Sequence, residues 1–425
     1  MESDKRNLFI IGADEFNYMQ LKNLPNAQHV TYHELLSMDE LKEYGKLSFE
    51  GLLSKSREKL RSHDGTIDGI ITHWDFPATL LQTVLTDELD LPGPRLTPCL
   101  QCEHKYWFRH TQREIGQEDC RFQAINPFMA EPARQVELAY PFWLKPVKAT
   151  ESMLSFLIDS EEEFNRAIEE VRANIEIVAR PFNEVLERIQ LPDEIASVDG
   201  FWCNAESPLM GSQHTVSGFL HKGKAHPYGV VDSPNYDQSS SFQCYIYPSD
   251  LPESVQSRMR EKTVALMEHI DLGECAFNIE YFYDRQSGEV RSLEANPRVS
   301  QSHSDLYRRV DGASNQKLAL ELACGEEPGK PYREGSYKMA AKFFYRVFKD
   351  AFVKQLPPDR EVCALEDRYD AFILIKPDEG QRLSEMIEHD SASYVLAEIF
   401  IGGSSREDLQ NTYDAIVDGL DFELE

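Results

Sequence analysis

Between Phe277 and Arg298 the chain reads FNIEYFYDRQSGEVRSLEANPR, which brings two carboxylates, an amide and a guanidinium into one short stretch. The central Arg-Gln-Ser-Gly is a turn signal between two β-rich runs, so the flanks should pair as an antiparallel hairpin. With the turn centred on Ser287, Glu280 stands opposite Glu294, and Asn296 follows two residues along on the same face. Carboxylates facing each other across a ladder repel unless a cation lies between them. Magnesium takes hard oxygen ligands of this kind and commonly shares them with the phosphates of a nucleotide. Glu280, Glu294 and Asn296 are therefore candidate metal ligands, with Arg298 beside them to meet phosphate or a developing oxyanion. The competing reading is a hairpin whose acidic face is merely solvated.

The elements that would hold such a hairpin can be read in outline. Leu8 to Gly12 is a short apolar strand, Ile67 to His73 is a second one followed by Trp74-Asp75-Phe76-Pro77, and Met38 to Leu60 between them is polar and helix-like. That alternation predicts a βαβ unit. It has no G-x-G-x-x-G turn, which leaves a dinucleotide site there without support. The Pro/Gly cluster from Leu91 to Pro98 ends the unit.

Cys99 to Gly116 reads as one helix with Lys105 and Arg109 a turn apart among aromatic residues. Tyr140 to Val147 is a buried strand interrupted by Lys145, a costly placement unless something anionic meets the ammonium. Ser160 to Ile175 has the capped start of an amphipathic helix, and Ser197 to Val231 alternates strand-like runs with turns. Pro252 to Ile270 and Asn315 to Cys324 read as helices. Gly325 to Pro331 is a second linker-like cluster, after which a smaller α/β unit runs to the C-terminus.

Composition narrows the function. The 425 residues, 41% hydrophobic, can bury a large core divided among two to four units. Lys and Arg number 44 against 73 Asp and Glu, a net charge of −29, so no nucleic-acid partner is expected. Apolar runs such as Phe372 to Ile375 are far too short to span a bilayer, and the N-terminus lacks a signal-peptide core, so a cytoplasmic location with no membrane partner is expected. The 8 cysteines are scattered as reduced thiols would be. Cys99 and Cys102 form a lone C-x-x-C without the second Cys/His pair that a zinc site requires.

Several of these segments together resemble the ATP-grasp superfamily. LEANPRVSQSHSDL from Leu293, preceded by FNIEYFYD from Phe277, is similar to its metal-binding hairpin. CEHKYWFR places Lys105 where these enzymes carry a first nucleotide lysine, and YPFWLKPV places Lys145 at the second. AESPLMGSQHTVSGFLHKGK from Ala205 resembles the strand that grips adenine and ribose, making Glu206 to Leu209 the nucleotide hinge and Gln213 the ribose neighbour. The loop after Lys145 departs from the family pattern: Lys148-Ala-Thr-Glu-Ser152 contains no glycine, which leaves Lys148, Thr150 and Ser152 as side-chain donors to phosphate. The C-terminal runs KMAAKFFYRVF, AFILIKPDEG and YVLAEIFIGGSSREDL are similar to the extra domain of the biotin-carboxylase-like and L-amino-acid ligase branches.

The resemblance implies an α/β (α+β) ATP-grasp fold in three parts: an N-terminal pre-ATP-grasp unit over 1–98, an ATP-grasp unit over 99–330 with a lid at about 140–205, and a C-terminal α/β unit over 331–425. It implies ATP and Mg²⁺ (or Mn²⁺) as cofactors and favours the L-amino-acid or dipeptide ligase branch, with ligation of a small-molecule carboxylate to an amine through an acyl-phosphate on amino-acid-like substrates. Lys145 and Arg298 are the catalytic candidates, while Lys105, Lys145, Ser152, Glu206, Leu209 and Gln213 would hold the nucleotide. Arg298, Ser300, Ser302 and His303 would contact substrate. Carboxylation through activated bicarbonate, and a non-catalytic nucleotide-binding relative, are the alternatives. A homodimer is the default expectation for assembly.

Overall fold

The computed structural model describes residues 5–43, 48–149, 153–237, 239, 241–329, 332–386 and 393–425. Among the described residues the strands fall into four sheets. At the N-terminus, Arg6–Ala13, Val30–Ser37 and Gly69–Thr72 form a parallel sheet with the first strand in the centre. Its middle positions, such as Leu8, Ile10, Ile70 and Ile71, are buried, as the continuous apolar runs of a covered parallel sheet require.

The second sheet is antiparallel, in the order Phe122–Ile125, Cys203–Glu206, Phe142–Pro146, Phe156–Ile158. Helix Glu161–Asn174 packs on it through Phe164, Ala167, Ile168 and Val171, the i, i+3, i+4, i+7 spacing of one helix face. Its N-cap is Ser160, whose hydroxyl accepts from the Glu163 N–H. This layer has a core of its own and covers the span in which a lid was expected.

The central sheet has eight strands. The hairpin Cys275–Tyr283 and Val290–Asn296 forms one edge; Ser212–His221, Lys224–Asp232 and Cys244–Tyr247 follow; Met339–Val347, Tyr394–Gly403 and Phe372–Ile375 complete it. Three C-terminal strands thus extend the sheet that carries the hairpin, while Val353–Gln355 and Glu423–Leu424 pair as a small sheet of their own. The strand-like stretch from Ser197 is also divided: Cys203–Glu206 belongs to the lid sheet, and the strands from Ser212 onward belong to the central one. Helix Glu253–Ile270 covers one face of the central sheet, and Ser304–Asp311 packs on the other half. No helix among the described residues is long and apolar enough to cross a membrane.

Candidate functional site

The edge hairpin pairs Glu280 with Glu294 and Asn278 with Asn296. Its register has an origin that the turn alone does not provide. The tip pairs Tyr283 with Val290 and continues to Tyr281 with Ser292, a register that would set Glu280 against Leu293. A bulge at Leu293 adds one residue to the second strand and brings Glu294 opposite Glu280.

Neither carboxylate is bare. Lys105 Nζ donates to Glu294 Oε2 at 2.7 Å, and Gln213 Nε2 donates to Glu280 Oε2 at 2.5 Å. Burial, and after it the charge of Glu294, pushes the Glu280 carboxyl up to about 7. Burial opposes the charge of Glu294 as well, yet the Lys105 ammonium holds that carboxyl below its usual range. The repulsion expected across the ladder is therefore met here by a lysine and an amide. Asn296 spends its NH₂ on Asn278 Oδ1 at 3.2 Å, which leaves its own oxygen as an acceptor. No group of three His, Cys, Asp or Glu side chains that could hold a metal gathers among the described residues. Two carboxylates and an amide oxygen suit an ion that keeps most of its shell in phosphate and water, as magnesium does.

Lys105 is positioned by a break in a helix that the sequence reads as continuous over 99–116. The chain forms Leu96–Glu103 and then Lys105–Glu114, interrupted at His104 with φ −93° and ψ 97°. Burial pulls the His104 imidazole down to about 4, so it is neutral. Its Nδ1 accepts from the Trp107 N–H at 3.2 Å and caps the second helix, while Nε2 bonds the Val198 carbonyl at 2.8 Å. At the new helix start, the Lys105 N–H donates to Val147 O at 2.8 Å, tying the first lysine to the end of the strand that carries the second.

Lys145 Nζ lies 3.4 Å from Glu206 Oε2. Glu206 is also gripped by Arg109, with Nε at 2.8 Å and Nη2 at 3.1 Å, and by Asn204 Nδ2 at 2.6 Å. Burial works against this carboxylate, yet Arg109 and Lys145 hold it at about 2. Arg109 also donates to the Ser292 carbonyl at 2.8 Å. One buried guanidinium thus joins the Lys105 helix, the lid strand and the metal-candidate hairpin, whereas the helix pattern by itself marked Arg109 as no more than half of a cationic face. Leu209 is half-buried in the segment between lid strand and central sheet. Gly211 closes that segment at φ +112°, where a Cβ would lie 2.1 Å from the Tyr283 carbonyl oxygen, so only glycine allows the hinge to lie on the hairpin tip.

Of the three side-chain donors expected at the phosphates, Lys148 is engaged elsewhere. Lys148 is buried in an ion pair with Glu103, which also accepts from Thr79 Oγ1 at 2.6 Å, so this lysine seals the junction of lid and helix. Thr150 and Ser152 lie outside the described residues. Cys99 and Cys102 are buried thiols of the core, pushed well up chiefly by burial.

On the other side of the hairpin, Arg298 forms a two-pronged bond to Asp75, with Nε to Oδ1 at 2.7 Å and Nη2 to Oδ2 at 2.6 Å. Asp75 lies in the Trp74-Asp75-Phe76-Pro77 run and is not among the residues expected at the site. The available signal was its place just beyond the carboxyl end of a parallel strand, where open α/β sheets bind ligands. In the following loop, the Ser300 carbonyl accepts from Asn315 Nδ2 at 2.9 Å, and Ser302 Oγ accepts from Lys342 Nζ at 3.1 Å. His303 is only 3% exposed and has no partner for Nδ1. Burial, followed by the charges of Lys342 and Arg298, pulls it down to about 3.

Comparison with known proteins gives this geometry a context. Residues 138–304 match the model of the ATP-grasp domain. Over 244 residues the chain is 24% identical to the carbamoyl phosphate synthase large chain, N-terminal section, of Methanopyrus kandleri; that is 56% of this chain but only 38% of the relative's length. Among solved structures, the L-amino acid ligase from Bacillus licheniformis superposes with a TM-score of 0.77 at 16% identity, covering 99% of each chain. The N5-carboxyaminoimidazole synthase from Aspergillus clavatus, solved with ADP, gives 0.65 at 13% identity over 98% of this chain and 99% of the other. Biotin carboxylase from Campylobacter jejuni gives 0.64 at 11%, covering 99% and 92%. These likenesses establish the α/β ATP-grasp fold.

Proposed function

We propose, from the ATP-grasp domain that this chain carries, that it is an ATP-dependent ligase joining a small-molecule carboxylate to an amine, with an amino acid among its substrates. The observation that carries this reading is the convergence on one hairpin of Glu280, Glu294 and Asn296 with Lys105, Lys145 and Arg298 beside them. Phosphoryl transfer asks a protein chiefly for positioning and for cancellation of charge on the phosphates. Glu280, Glu294 and the Asn296 oxygen would hold Mg²⁺ (or Mn²⁺), which when bound supplies charge cancellation on the triphosphate.

Lys105 and Lys145 are the cations for the phosphates. Lys105 rests on Glu294 and Lys145 on Glu206, ion pairs that keep both side chains beside the site, where phosphate would replace part of their carboxylate contact. Arg298, held in one orientation by Asp75, would neutralise the substrate carboxylate and then the oxyanion formed when the amine attacks the acyl-phosphate. The Ser300 to His303 loop follows directly and would line the substrate side. The neutral His303 ring is a hydrogen-bonding contact before it is a base.

The test is a matrix of carboxylates and amines screened for ADP release, with mass spectrometry of the product. A carboxylate–amine pair that drives ADP formation and yields an amide supports the reading. ADP formation that depends on bicarbonate would replace it with a carboxylase, and no substrate-dependent turnover with any pair would replace it with nucleotide binding alone.

A further inference from the structure

Lys342 lies in the interior of the central sheet, on strand Met339–Val347, with its side chain 6% exposed. Nothing in the nucleotide reading uses it. Its ammonium donates to Glu398 at 2.8 Å and to Ser302 Oγ at 3.1 Å, so a strand far along the chain reaches the loop that follows Arg298. Burial draws the Lys342 ammonium down, with Glu398 acting against that shift. Such a lysine is expensive to bury, and a single partly exposed carboxylate is a modest return for a structural role.

Three further features converge on the same place. His303 is buried, the charges of Lys342 and Arg298 both act on it, and its Nδ1 has no hydrogen-bond partner among the described residues. Buried ring nitrogens are normally satisfied, and each exception calls for a cause. A 3-10 turn over Gln301–His303 runs straight into helix Ser304–Asp311, which fixes Ser302 and His303 beside Lys342. Tyr245, paired with Lys342 across the ladder, stacks edge-on to His303 at 5.1 Å and feels the charges of both Glu280 and Glu398. It therefore links this cluster to the hairpin carboxylates.

We propose that Lys342, Ser302 and His303 form a subsite for a carboxylate borne by the amine substrate, so that the enzyme selects free α-amino acids as nucleophiles. The proposal rests on the ligase reading and names its second substrate. An amine attacking an acyl group beside Arg298 must come within about 3 Å of it. A carboxylate on the next carbon would then lie by the loop that follows Arg298, where Ser302 meets Lys342. The subsite supplies the Lys342 ammonium, which it shares with Glu398, together with a hydroxyl and a ring nitrogen, groups that can donate to a carboxylate.

The experiment compares L-amino acids with their carboxamides, in wild type and in Lys342→Met, Lys342→Arg and the charge-balanced Lys342→Met/Glu398→Gln, all checked for folding by circular dichroism. One arm measures ADP release. The other measures thermal stabilisation by the same compounds in the presence of ADP and magnesium. Wild type should prefer acid over carboxamide by at least tenfold in KM, and acids alone should raise Tm. Both preferences should disappear in Lys342→Met and in the double variant, and persist in Lys342→Arg. Retention of the preference without Lys342, or a wild type that treats acid and carboxamide alike in both arms, overturns the proposal. A wild type that makes no ADP yet is stabilised by acids in a Lys342-dependent way would sink the ligase reading and leave the subsite standing.

Discussion

Two of the charged clusters in the central sheet are built in opposite ways. At its edge, Glu280 and Glu294 are like charges forced together by a hairpin, fourteen positions apart, and their relief comes from far away in sequence, from Lys105. In its interior, Lys342 and Glu398 are opposite charges brought together by neighbouring strands, and the unsatisfied group is a local one, His303 at a helix start. Local connectivity can impose an unfavourable contact that a distant residue then relieves. Long-range pairing instead selects favourable contacts and leaves a donor uncommitted. The first arrangement is suited to a cation, the second to an anion.

The comparison breaks most severely at the hairpin. Glu294→Ala should reduce substrate-dependent ADP formation about 10³-fold, the scale of losing one preorganised electrostatic contact of this kind, with secondary structure unchanged. Initial rates and circular dichroism measured together check it, and near-normal turnover would remove Glu294 from the metal assignment.

Next is Glu206, where the same logic acts on stability. Its carboxyl sits at about 2 against an ordinary 4.5, so folding gains stability that is complete above pH about 4.5 and is lost as pH falls towards about 2. That shift is worth up to about 3 kcal/mol. In Glu206→Gln the buried Arg109 loses its counter-charge, so urea stability near pH 7 should fall by about 3 kcal/mol or more. The variant should also lose less than wild type between pH 4.5 and 2. Urea midpoints across that range decide it, and parallel acid profiles would mean that Arg109 pairs elsewhere.

The smallest effect is expected at Asp75. Asp75→Asn keeps the shape but weakens both bonds to Arg298, and should lower kcat roughly 10- to 30-fold with a smaller change in KM for ATP, the pattern of a positioning residue. A change confined to KM for ATP would place Arg298 on the nucleotide instead. Partial recovery in Asp75→Glu would strengthen the positioning role.

How much of this was legible depends on the range of each interaction. The Glu280–Glu294 pairing, the cap at Ser160 and the parallel N-terminal sheet could be read because they follow from residues within a few turns or a single ladder. The break at His104 was hidden because its cause is a contact with Val198 and a cap made by histidine, which no helix-stop pattern signals. The partners of Arg109, Asp75 and Lys342 are not legible because amphipathic periodicity reports which face is buried and not what lies across from it.

The amino-acid sequence alone determined the types of chemistry this protein can do. Its acidic balance, its short apolar runs, its hairpin spacing and its two lysines in apolar settings are all properties of neighbouring residues and of composition. The tertiary structure decided which charge meets which: Lys105 with Glu294, Arg109 with Glu206, Arg298 with Asp75 and Lys342 with Ser302. The reason is physical. Steric and hydrophobic rules act along the chain and can be read from it, whereas the energy of a buried charge depends on partners within a few ångströms, and those are chosen only when distant segments pack.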